Sequence, residues 1–132
     1  MNTALLVIGS IFVFLATVLH VYIFVLESVT WSAPRTWKIF GVASQADADV
    51  IRPMAFNQGF YNLFLGLGAG IGIALLAVNE SAALALVFLS AGSMVLAALV
   101  LLLSSKTNRR PALVQGVLPL IGVAVILASL AA

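Results

Sequence analysis

Cysteine is absent from the 132-residue chain, which excludes disulfides, thiol nucleophiles and thiolate metal ligation. Histidine occurs once, at His20, leaving too few ligands for an intrinsic zinc site, so no metal is expected. Charge is scarce too. Six Lys or Arg and four Asp or Glu make up 8% of the residues, where a soluble domain carries about 25%. So few charges cannot clothe a water-exposed surface, which excludes a soluble globule. Intrinsic disorder needs low hydrophobicity and high charge, so it is excluded as well.

What is present is apolar. Hydrophobic residues form 64% of the chain and the mean hydropathy is +1.24. A membrane-spanning helix needs about 20 predominantly apolar residues. Four stretches qualify: residues 4–26, 53–78, 82–103 and 112–130. Every backbone polar group in lipid must be satisfied within its own helix, and the runs lack the alternation of barrel strands. The expected fold is all-α: one integral-membrane domain over 1–132, a four-helix bundle with an interfacial loop or short helix between the first two spans.

The hydrophilic breaks orient the bundle. Residues 27–52 carry Arg35, Lys38 and Arg52, and residues 104–111 carry Lys106, Arg109 and Arg110, which is every basic side chain in the chain. The tight turn 79–81 has only Glu80. Four spans put both basic breaks on one side, which the positive-inside rule makes cytoplasmic, with both termini outside. The first span lacks a basic n-region and exceeds a typical signal-peptide core, so it is expected to be retained. Separated charges suit anionic lipid headgroups better than a nucleic-acid track, so the lipid bilayer is the expected partner and nucleic acid is not.

The long break has structure of its own. Trp31 and Trp37 are placed for the membrane–water interface. Ser44-x-x-Asp47 resembles a capping box, so a helix is expected to begin near Gln45 and to be kinked or restarted at Pro53.

Polar residues inside the spans are costly, about 2.5–3.5 kcal/mol or more for an ionisable group at mid-membrane, and so point to a cavity or a partner. His20 and Glu27 lie seven apart, on one face of the first helix. Glu27 is at the cytoplasmic rim, His20 roughly 10 Å deeper. On the second span Asn57, Gln58, Tyr61 and Asn62 cover one arc, opposite Phe56, Phe60, Phe64 and Leu67. That polar arc is expected to face protein, the aromatic one lipid. Gln115 enters from the same side, so all the strong polarity lies in the inner half. This predicts a polar pocket open to the cytoplasmic leaflet, sized for one end of a small amphipathic molecule. The plainer alternative is interhelical glue, worth about 0.6 kcal/mol per bond. Glu27 reads equally as solvated or paired with Arg35 or Arg52; Tyr22 and Gln115 read as structural.

The run Gly66-Leu-Gly-Ala-Gly-Ile-Gly72 lacks nucleotide-loop spacing and follows no strand. Its small-xxx-small pairs, Gly66/Gly70 and Gly68/Gly72, indicate close helix packing instead. No cofactor is expected.

At these residues the chain resembles a family of small integral-membrane proteins, domain of unknown function family 1304. The likeness rests on Asn57-Gln58-Gly59-Phe60-Tyr61-Asn62 followed by Leu63-Phe64-Leu65, supported by His20, the Glu27 and Trp31 pair, and Phe40 before a short polar loop. The resemblance implies a bacterial inner-membrane protein and brings no assigned reaction. Three functions compete. One is binding, or helping to transport, a small amphipathic molecule at His20, Glu27, Asn57, Gln58, Tyr61 and Asn62. The second is a membrane-embedded isomerase or hydrolase with His20 as acid–base and Glu27 orienting it, which requires a donor–acceptor contact of about 2.6–3.2 Å. The third is a structural or partner-binding subunit using the glycine faces, a homodimer being one form of it.

Overall fold

The structure is a computed structural model that describes residues 1–132. It is all-α, without strands. Helix α1 (Thr3–Phe24) continues into a π-helical turn (Val25–Val29). A short α2 (Pro34–Trp37) and a 3-10 turn (Lys38–Phe40) lead to α3 (Gln45–Leu75), α4 (Glu80–Ser104) and α5 (Arg109–Ala131). Four helices are long and apolar enough to cross a membrane. They form a ring in the order α1, α3, α4, α5, each antiparallel to its neighbours, with little contact across the diagonals. Both termini lie at one end, where the Asn2 amide donates to the Ser129 carbonyl at 2.8 Å. The two basic breaks lie at the other, here the loop end.

Local chemistry sets the boundaries. The Asn2 side chain accepts from the amides of Ala4 and Leu5 to start α1, and Asn79 accepts from Ala82 to start α4. Ser44 accepts from the Asp47 amide at 3.1 Å and starts α3, as its spacing predicts. Its other bond goes to the Asp47 carboxylate, at 2.6 Å, so only half of a capping box forms. Helix α3 passes through Pro53 without ending and so does not restart there. Its 31 residues span about 46 Å, well beyond a hydrocarbon core of about 30 Å, so its first turns project past the apolar layer.

The two tryptophans face protein. Both are buried at the loop end, in a small core of their own with Ala48 and Ala55, flanked by Phe40, Val42 and Ile51. The indole N–H groups of Trp31 and Trp37 donate to the Ala48 carbonyl and the Gln45 side chain, at 3.0 and 3.2 Å. The projecting turns of α3 thus supply partners that a solvated interface would otherwise supply. The loop is clamped onto that helix.

In the bundle core, small residues let helices touch. A Cβ on Gly66 or Gly70 would meet Thr17 of α1; one on Gly68 or Gly72 would meet Ser90 or Val87 of α4. Both glycine pairs are therefore taken up inside the chain, one against each neighbour of α3. A third close approach joins α1 to α5, where Gly9 and Gly122 lie against each other's backbone. The sequence reading did not single out these two glycines. The main core, Val13, Ala16, Ala69, Val87, Ala91, Met94 and Ile126, lies between these contacts.

Candidate functional site

Near the loop end the ring encloses a cleft of about 980 Å³. Residues of α1, the 3-10 turn, α3, α4 and α5 all line it, including Ile23, Leu65, Met94 and Val114 among the apolar ones. A smaller groove of about 340 Å³ shares Tyr22, Leu26 and Ile39 with it but includes none of His20, Glu27 or Asn62.

These three are the polar residues buried in the cleft wall, at 2%, 8% and 8% exposure. Two glycines on α3 bring α1 close alongside it. A Cβ on Gly66 would lie 3.6 Å from the His20 Cβ, and one on Gly59 would lie 3.1 Å from the Glu27 Cβ. Gly59, Asn62 and Gly66 fall three and four residues apart on one helical stripe, so α1 approaches closest on either side of Asn62. Ser28 fastens the same seam by donating to the Phe56 carbonyl at 2.8 Å. Phe24 stacks edge-on against Phe60, with ring centroids 5.1 Å apart.

Asn62 Nδ2 donates to Glu27 Oε2 at 2.9 Å and to the Gln58 carbonyl at 3.2 Å. Glu27 is buried and makes no ion pair with Arg35 or Arg52. Its hydrogen-bond partner is Asn62, across the α1–α3 seam. The π turn carries it: the Thr30 amide reaches back to the Val25 carbonyl at 2.9 Å, five residues away. The first span, expected over residues 4–26, thus runs on to Val29 through this π turn, and π turns concentrate at functional sites. His20 Nδ1 lies 2.9 Å from the Ala16 carbonyl, and no side chain bonds to the ring. No hydrogen bond joins His20 to Glu27, so the acid–base pair that the enzyme alternative requires is not formed.

The structure divides the expected polar arc of α3. Gln58 and Asn62 line the cleft with His20 and Glu27, and so does Gln115. Asn57 and Tyr61 do not; Tyr61 is 57% exposed on the outer surface. At 100° per residue, they lie far around the helix from the buried Gly59–Gly66 stripe, so the arc expected to face protein does so only along one edge. Tyr22 also borders the cleft from a largely exposed position.

The sequence reading missed Gly59 as a packing residue, Met94 as part of the wall, and Lys38 and Arg110 as exposed cations at the cleft's loop-end rim. Spacing alone could have found Gly59, since it continues the Gly66 stripe by two helical turns.

The chain belongs to the family described as "Protein of unknown function (DUF1304)", whose model matches residues 14–127. No curated protein and no solved structure matches it.

Proposed function

We propose that this small membrane protein holds one end of a small amphipathic molecule in the cleft at the loop end of its bundle, as a binding or transport-accessory protein. The observation that carries this reading is the pairing of buried polar side chains with an apolar wall in one cleft: His20, Glu27 and Asn62 beside Ile23, Leu65, Met94 and Val114. Buried polar groups in a bilayer default to a functional assignment because they cost free energy that packing alone need not incur. The terminal half of the bundle is closed by Gly9, Gly72 and Gly122 contacts, which argues for a blind cleft over a through-path. All six cations lie in breaks at the loop end, which favours that end as cytoplasmic, in a bacterial inner membrane with both termini outside.

The test is mass spectrometry of gently purified protein. Wild type should carry a small molecule or lipid beyond the bulk detergent and lipid. Ala97 is an exposed residue on the cleft wall; Ala97→Trp should expel the molecule, while Leu99→Trp, outside the cleft, should not. Bulk lipid alone in all three proteins would refute the reading.

A further inference from the structure

The hydrogen bonds already made inside the cleft determine what the remaining polar atoms can do. The Ala16 carbonyl can only accept, so His20 Nδ1 carries a proton and Nε2 is left as the acceptor of the uncharged ring. Asn62 Nδ2 spends both hydrogens, on Glu27 Oε2 and the Gln58 carbonyl, which leaves Oδ1 as an acceptor. Glu27 Oε1 has no partner in the chain and is an acceptor when the carboxyl is ionised. The one fully enclosed side-chain polar atom without a partner is Ser10 Oγ, so these three acceptors are not sealed off, and their residues line the cleft. Gln58, Gln115, Tyr22, Ser104 and Asn108 also line the cleft and offer donor and acceptor alike, so they do not alter the balance.

These three acceptors, one of them a carboxyl oxygen, belong to buried residues of one cleft wall. A group satisfying all three must present several N–H bonds and positive charge, which describes a primary ammonium. The loop-end rim has the opposite character. Lys38 and Arg110 are donors only and exposed, so the same cleft also offers contacts to an anion. Between and below lies the apolar wall.

We infer that the ligand is an aminophospholipid-like amphiphile, with a primary ammonium at His20, Glu27 and Asn62, a phosphate toward Lys38 and Arg110, and its chain along Ile23, Leu65 and Met94. This rests on the binding role proposed above and specifies its ligand. A quaternary ammonium has no N–H to give, and a purely anionic head has nothing for the acceptors. The site therefore selects against both phosphatidylcholine and phosphatidylglycerol.

The experiment offers the full-length protein in detergent an equimolar mixture of phosphatidylethanolamine, phosphatidylcholine and phosphatidylglycerol with matched chains, read by native mass spectrometry. Retention of phosphatidylethanolamine should exceed that of either competitor about tenfold or more, the scale of a lost charge-assisted bond. Glu27→Gln preserves shape and should erase that preference, as should Asn62→Leu. Arg110→Gln should weaken phosphatidylethanolamine and phosphatidylglycerol together. Equal retention of all three lipids, abolished by Ala97→Trp, would keep the binding role and overturn the ammonium assignment. Preference for phosphatidylglycerol, or an ethanolamine preference that survives Glu27→Gln, would overturn it too. No lipid retained, with Ala97→Trp indistinguishable from wild type, would refute the binding role itself.

Discussion

Alanine at Gly122 should destabilise the bundle, whereas alanine at Gly92 should not. A Cβ on Gly122 would sit 2.7 Å from Val13 Cγ2, 3.0 Å from the Val13 nitrogen and 3.2 Å from the Gly9 carbonyl oxygen. Two of those atoms are backbone of the facing helix, so relief requires α1 and α5 to separate. Forcing a methyl into a packed contact costs about 1–3 kcal/mol. The helix propensity gained over glycine offsets up to about 1 kcal/mol. At Gly92 a Cβ meets nothing within 4 Å, so only the propensity gain operates. The gain is common to both variants and cancels in their difference, which leaves about 1–3 kcal/mol between them. Gly9 supplies a second check, since its Cβ would meet the Ile126 nitrogen at 3.0 Å and the Gly122 oxygen at 3.1 Å. Once one substitution has parted the helices, the other costs less. Gly9→Ala and Gly122→Ala should therefore couple by about 0.5–3 kcal/mol. Gly122→Ala and Gly72→Ala act on different helix pairs and should add to within about 0.5 kcal/mol. Unfolding in mixed micelles by increasing dodecyl sulfate, followed by fluorescence of the buried Trp31 and Trp37, supplies the midpoints. Equal shifts for Gly122→Ala and Gly92→Ala would refute the close approach of α1 and α5.

In the same assay a double-mutant cycle of Glu27→Leu and Asn62→Leu should give a coupling of about 0.6 to 1.7 kcal/mol, the range for interhelical bonds in bilayers; zero coupling would mean the Asn62–Glu27 bond is not made in the folded state. Brominated lipids should quench Trp31 and Trp37 only weakly, because both rings are buried against α3; strong quenching would place them in the interface instead. Trp31→Phe removes one buried donor and should lower stability by about 0.5–1.5 kcal/mol, and an unchanged unfolding midpoint would count against the bond to Ala48. Topology reporters fused to either terminus should both read as external, and a cytoplasmic carboxyl terminus would reverse the orientation argued from the basic loops.

The spans were legible because their signal is cumulative. About twenty apolar residues in a row outweigh any local ambiguity, and Asn or Ser caps mark the starts of α1, α3 and α4. The site was half legible, for a reason particular to membranes. In a soluble helix, polarity marks the outer face and hydrophobicity the inner. In a bilayer both faces are apolar, so the contrast that divides inside from outside is size, not polarity. The buried stripe of α3 is Ala55, Gly59, Asn62, Gly66, Ala69 and Gly72, in which a single residue is polar. Sorting by polarity grouped Asn57 and Tyr61 with Asn62, although they lie away from that stripe. Sorting by size would have selected Gly59, Asn62 and Gly66 together, and with them the place where α1 comes near. His20 and Glu27 follow from that approach, one opposite each glycine. Their hydrogen-bond partners do not follow from it: Ala16 holds the imidazole from within α1, and Asn62 reaches Glu27 across the seam. Helical spacing shows that His20 and Glu27 share a face. Which acceptors stay open depends on where each donor is already spent, and that is fixed only once the seam has closed.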